Sequence, residues 1–341
     1  MPNHLEDFVA AQMQKHPISG LSLAVVGEGK IAQTLCFGFT DQTGKSPVSA
    51  STLFQAASVS KCLAALAALR LVDQGQLSLD ADVNSKLQSW KIPANQFLKQ
   101  EQVTLRRLLC HNAGITVHGF SGYVAGLPIP TLEQIFNGTP PANNPAIRVD
   151  AIPGANPRYS GGGYVVLQQL LMDVLDRPFP ELMQSLVLHP LGMSSSTFDQ
   201  PLHPSLLSNA ATGHSQSGKP ILGGAHLYPE MAAAGLWTTP SDLARFVIGV
   251  QQSFTAQSDS ILSLKIAREM LTPQAARFGL GPTIVGNGNT LQFLHSGRNA
   301  GFDAVLVASV ETGKGVVIMI NANADPKALN SILKVVINEF H

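Results

Sequence analysis

Charge is scarce in this chain. Only 13% of its 341 residues are Asp, Glu, Lys or Arg, and the 22 basic side chains equal the 22 acidic ones. With no net positive field there is nothing to hold a phosphate backbone, which excludes nucleic acid as an expected partner. Cysteine is rarer still. Cys36, Cys62 and Cys110 form no C-x-x-C pair and no zinc-ligand spacing, so they read as free thiols packed as small apolar groups. No run of 18 uninterrupted apolar residues occurs, so no membrane-spanning helix is expected. Apolar residues nevertheless make up 45% of the chain, and with the low net charge this excludes a disordered or fibrous protein. The length implies roughly two domains, or one large one.

The first 16 residues carry Glu6 and Asp7 and set Phe8, Val9 and Met13 at helical spacing. They read as an amphipathic helix, without the basic start and apolar run of an export signal. The expected localisation is cytoplasmic, or periplasmic or secreted if an export signal has been removed. From Gly20 the pattern becomes β-type over residues 21–26 and 31–39, with a hairpin turn at Gly27-Glu28-Gly29-Lys30. Near the other end, residues 291–294, 304–310 and 316–321 are strand-like, and a last helix starts behind Asp325-Pro326. Both chain ends thus supply one sheet. Between them the spacing predicts helices over 58–73, 105–110, 164–175 and 179–188, and another from Thr239-Pro240-Ser241-Asp242. Residues 137–159, dense in Pro, Asn and Gly, form a long loop that ends on a tyrosine.

Three short motifs carry chemistry. In Ser58-Val59-Ser60-Lys61 the hydroxyl and the amine are three residues apart, which on a helix puts them on one face. A serine hydroxyl is a poor nucleophile unless a neighbouring base takes its proton, and a buried lysine can be that base. Alone the motif is weak, since Ser331-Ile332-Leu333-Lys334 repeats the spacing inside the last helix by accident. The plain alternative for Ser58 is a helix N-cap beside a solvated lysine. The second motif, Tyr159-Ser160-Gly161-Gly162-Gly163-Tyr164, offers a tyrosine able to share a proton with Lys61, or else only a tight turn. In the third, His295-Ser296-Gly297-Arg298 at a strand end, the N–H of Arg298 would complete an oxyanion hole with that of Ser58; otherwise His295 is a surface histidine.

Rival designs fit poorly. Gly213-His214-Ser215-Gln216-Ser217 lacks the final glycine of a G-x-S-x-G elbow, and Gly44-Lys45-Ser46 lacks the first glycine of a phosphate loop, which is Phe39 here. His111, His118, His214, His226 and His295 show no metal-ligand spacing and read as hydrogen-bonded loop histidines, so no metal is expected.

The order and separation of the three motifs resemble the serine β-lactamase and penicillin-binding-protein superfamily, whose pattern is Ser-x-x-Lys, then Tyr-x-Asn or Ser-x-Asn, then Lys-Thr-Gly or His-x-Gly. The resemblance is nearest to the class C β-lactamase branch with its family VIII carboxylesterases and D-amino-acid peptidases. It extends to Leu108-Leu109-Cys110-His111-Asn112-Ala113-Gly114-Ile115, to His189-Pro190-Leu191-Gly192-Met193, and to the stretch from Ala234 through Trp237 to Leu243. It implies an α/β (α+β), β-lactamase/transpeptidase-like fold. A sheet domain would comprise residues 1–57 and 236–341, and a mostly helical domain residues 58–235, with the site in the cleft between them. It implies Ser58 as acylated nucleophile, Lys61 and Tyr159 as the proton-transfer pair, and His295, Ser296, Gly297 and Arg298 as the substrate and oxyanion strand. No cofactor is implied. Two positions depart from the pattern: Gly161 replaces an Asn that orients lysine and substrate, and His295 replaces a Lys that anchors a β-lactam carboxylate. Arg298 is then the expected source of positive charge. The expected substrates are small esters first, D-amino-acid peptides or amides second and β-lactams third, against a binding or scaffold module that has kept the fold without turnover.

Overall fold

The computed structural model describes residues 4–257 and 260–340. The chain opens with helix α1 (His4–Lys15), then the hairpin β1 (Gly20–Gly27) and β2 (Lys30–Gly38), turned at Glu28 and Gly29 as the sequence predicts. Helices α2 (Ser60–Asp73), α3 (Leu105–Leu109), α4 (Gly161–Leu175), α5 (Met231–Ala234) and α6 (Pro240–Phe254) follow. The chain then returns through β3 (Thr283–Val285), β4 (Gln292–Asn299), β5 (Phe302–Ser309) and β6 (Gly315–Ile320), and closes on α7 (Pro326–Phe340).

The six strands form one antiparallel sheet in the order β2-β1-β6-β5-β4-β3. Its centre joins the two chain ends, with Leu21 opposite Ile320 and Val25 opposite Val316. Because side chains alternate along a strand, each face has its own set. Leu21, Leu23, Val25, Val316, Ile318 and Ile320 pack under α1 and α7. Ala24, Val26, Val317 and Met319 point the other way, into a core shared with α2, α4 and α6. In α2 every residue from Ser60 to Leu69 is buried, as befits a helix apolar on all sides, and Lys61 is the one charged group among them. Helix starts follow local chemistry: Thr104 and Thr239 each accept a hydrogen bond from a backbone N–H three residues on, and Asp325 accepts from the Lys327 N–H. Residues 138–160 run as loop and turn, joined to the neighbouring segment by a bridge between Ile115 and Val149. Among the described residues no helix is long and apolar enough to cross a membrane.

Asn321 fastens the end of β6 to the start of β1. Its side chain is fully buried; Oδ1 accepts from the Gly20 N–H (2.6 Å), and Nδ2 donates to the carbonyls of Phe39 (3.2 Å) and Thr40 (3.0 Å). Asn321→Leu removes three buried hydrogen bonds to the backbone, and urea unfolding should report a loss of about 2–4 kcal/mol. A loss below about 0.5 kcal/mol would show that the clamp is dispensable.

Candidate active site

A short turn sets Ser58. Ala57–Val59 form a 3-10 turn ahead of α2, so Ser58 precedes the α-helix and does not start it, which corrects the expected helix boundary at 58. Ala57 has a left-handed φ of +50°, a conformation that costs a non-glycine residue about 1 kcal/mol or more. The Ser60 hydroxyl holds it there, donating to the Ala57 carbonyl (2.6 Å) and accepting from the Leu236 N–H (3.1 Å). Ser58 Oγ is not used as a helix cap. It accepts from the Lys61 ammonium at 3.0 Å. Lys61 is 1% exposed, and its second acceptor is the Ala233 carbonyl of α5 at 2.7 Å. The ring centroids of Tyr159 and Tyr164 lie 5.0 and 5.7 Å from the same nitrogen, so two π faces add to its stabilisation.

The third motif lies within β4, which runs on to Asn299 beyond the strand end expected near residue 294. A Cβ at Gly297 would lie 2.4 Å from the Ala56 carbonyl oxygen and 2.7 Å from the Ser58 nitrogen, so only glycine lets β4 run against the Ser58 turn. His295 is buried, and its Nδ1 bonds the Ser296 carbonyl at 2.8 Å. Burial, with Lys61 nearby, pushes its pKa down to about 4, so it is neutral at physiological pH. Arg298 does not supply the missing charge. Its guanidinium grips both oxygens of Asp303 (2.7 and 2.6 Å) and donates to the Ala324 carbonyl (2.6 Å), which corrects the expectation of a free cation there.

Ser58, Lys61, Tyr159, His295, Ser296 and Arg298 line one cleft of about 520 Å³, walled by His118, Phe120, Arg277 and Phe278, and no carboxylate lines it. The sequence singled out none of these four walls as site residues, because His118 reads as an ordinary loop histidine and the others sit in segments without a motif. Asn299 was also missed: it donates to Gln55 Oε1 (2.9 Å) and the Ala234 carbonyl (3.1 Å), tying β4 to α5. The departure at Gly161 has a steric cause. Its N–H donates to the His118 carbonyl (3.0 Å), and a Cβ there would meet that oxygen at 3.1 Å and the Phe120 ring at 3.0 Å. Segment 118–120 crowds the place of a side chain at 161, where its atoms would have to give by a few tenths of an ångström. Among the described residues no cluster of three or more His, Cys, Asp or Glu could hold a metal.

Glu230 supports the site from behind. Its carbonyl accepts from the N–H groups of Ala233 and Ala234 (3.0 Å each), and its buried carboxyl accepts from the Tyr123 hydroxyl (3.3 Å). Burial pushes its pKa up to about 7.

A family model for Beta-lactamase matches residues 5–336. The chain belongs to the Beta-lactamase family. That is a family of serine hydrolases, in keeping with the Ser58–Lys61 contact. Among relatives of this family member, Protein flp of Staphylococcus aureus (strain MRSA252) is 25% identical over 357 residues; the match takes in 98% of this chain, which spans only 66% of that relative's length. A Beta-lactamase of Pseudomonas fluorescens is 29% identical over 247 residues, 71% of this chain and 63% of the relative. Among solved structures, the octameric penicillin-binding protein homologue from Pyrococcus abyssi superposes with a TM-score of 0.79 at 24% identity, covering 98% of this chain and 76% of that one. The D-alanine carboxypeptidase AmpC from Burkholderia cenocepacia gives 0.76 at 20% identity, covering 98% and 99%. These likenesses establish the β-lactamase-like fold.

Two variants test this geometry. Gly297→Ala should stay folded yet cut the labelling rate of Ser58 by a fluorophosphonate about a hundredfold, since a displacement near 1 Å has that effect; unchanged labelling would refute the close approach. Glu230 keeps its proton in the folded protein between pH 4.5 and about 7, where the unfolded chain releases it, so the stability it contributes falls across that window and levels off above it. Glu230→Gln should therefore gain on the wild type by up to about 3 kcal/mol as pH rises from 5 to 7.5, read by calorimetry. Parallel Tm curves would show that Glu230 does not titrate there.

Proposed function

We propose that this chain is a carboxylesterase-type serine hydrolase that cleaves small esters through an acyl-enzyme on Ser58. One observation carries the reading: the buried Lys61 nitrogen 3.0 Å from Ser58 Oγ, both opening on the cleft. Ser58 Oγ attacks the ester carbonyl as its proton passes to the Tyr159 phenolate, whose charge the Lys61 ammonium balances. The N–H groups of Ser58 and Arg298 hold the oxyanion, and Tyr159 returns the proton to the departing alcohol as the acyl–oxygen bond breaks. Water then releases the acid by the same path. The reaction so drawn uses no organic cofactor. A neutral His295 and the absent amide at Gly161 favour esters over β-lactams, whose carboxylate needs a cationic anchor.

A D-amino-acid peptidase or amidase is the second reading. It is favoured by Arg277, which is exposed on the cleft and whose guanidinium makes no ion pair or hydrogen bond among the described residues, so a substrate carboxylate can reach it.

The test combines peptide mapping with a fluorophosphonate and rates on p-nitrophenyl esters, D-amino-acid amides and nitrocefin. A single adduct on Ser58 is expected, lost in Ser58→Ala together with at least a thousandfold of the ester turnover. Tyr159→Phe should slow acylation about a hundredfold or more. Amides outrunning esters would establish the second reading, and no adduct with no turnover would favour a binding module over an enzyme.

A further inference from the structure

His111 makes two contacts that bracket Tyr159. Its carbonyl accepts from the Arg158 N–H at 2.7 Å, and its ring Nδ1 accepts from the Ser160 N–H at 3.2 Å. One residue thus holds the main chain on both sides of the tyrosine. The His111 ring also touches the side chain between those two points: its centroid lies 4.2 Å from that of Tyr159, with planes 33° apart. Tyr164 and Phe278, at 5.3 and 5.0 Å, close the other sides, and His111 is only 3% exposed.

We infer that His111 is a positioning residue that fixes the Tyr159 ring in the cleft beside Lys61. The inference rests on the reading of Tyr159 as proton carrier. Tyr159 ends a loop of more than twenty residues without helix or strand, one residue before the Ser160 cap of α4, and proton transfer requires its hydroxyl to be set to within a fraction of an ångström. The clamp needs an unprotonated Nδ1. Burial, with the Lys61 charge next in weight, pushes the His111 pKa well below its usual value and keeps the ring neutral. Because Nδ1 accepts, the ring hydrogen sits on Nε2, which is buried and has no hydrogen-bond partner among the described residues. The Ser160 N–H is therefore the ring's one hydrogen-bond partner among them. His111 also adopts a left-handed φ of +58°, and that conformation allows its carbonyl and its ring to serve two amides two residues apart.

The test uses His111→Ala and His111→Asn. Asparagine tolerates the left-handed backbone and offers an oxygen near the place of Nδ1. His111→Ala should lower the kcat for p-nitrophenyl ester cleavage about a hundredfold with KM little changed, and His111→Asn should restore it to within about fivefold of wild type. In a Tyr159→Phe background His111→Ala should cost less than about threefold more, because its effect runs through the tyrosine. Multiplicative losses, or a wild-type rate in His111→Ala, would overturn the inference.

A second readout needs no turnover. With 3-fluorotyrosine at the four tyrosines, the Tyr159 line, assigned from Tyr159→Phe, should be single in wild type and His111→Asn and broadened or split in His111→Ala. An unchanged line would overturn the clamp by itself. A wild-type rate in Tyr159→Phe would instead remove the proton-transfer reading, and the fluorine line would still decide whether His111 holds the ring.

Discussion

A single ammonium constrains the structure around it. Lys61 lies in a helix buried on every side, where a cation without partners costs several kcal/mol. Its acceptors cannot come from α2, whose carbonyls are committed to the helix. They come from Ser58, on a turn ahead of the helix, and from Ala233, far along the chain. Those two oxygens must stand at fixed places, and the surrounding residues hold them: Ser60 pins the strained Ala57, Glu230 folds α5 so that the Ala233 carbonyl faces the nitrogen, and Asn299 ties α5 to β4. The geometry at Ser58 is a by-product of solvating a buried charge with protein.

The charge pattern of the cleft follows from the same economy. A second cation next to Lys61 would be repelled in so dry a place, and His295 answers by staying neutral. Arg298 points its charge into Asp303, which is itself buried and also accepts from Ala324 and Asn323. Positive potential is left to Lys61 at the centre and Arg277 at the rim, in a molecule whose overall charge is zero.

Most of this architecture was legible in the sequence because it rests on local rules. The apolar β-type runs of β1 and β6, the turn at Glu28-Gly29, the threonine caps and the Asp325-Pro326 start are each decided within a few residues. Ser58 and Lys61 were legible for the same reason, being three apart. Features that depend on distant partners were not. The 3-10 turn at Ser58 is enforced by Leu236, the reach of β4 through His295 and Arg298 by its pairing with β5, and the pairing of Arg298 by a hairpin that places Asp303 opposite it. Gly161 read as a lost asparagine, and only the placement of Phe120 and the His118 carbonyl shows that the place is crowded. His111 appeared in a family-like stretch, but nothing there told that its ring would meet the amide of Ser160.

The seam between β1 and β6 has a consequence for biosynthesis. β1 leaves the ribosome long before β6, which covers one of its two edges. Until β6 is made, β1 and β2 are a two-stranded ribbon with an open edge, and Leu21, Leu23 and Val25 have the cover of α1 without that of α7. Such a ribbon is marginal on its own. The nascent chain carries a sticky edge until β6 arrives, and the sheet closes in one event that joins segments made far apart in time.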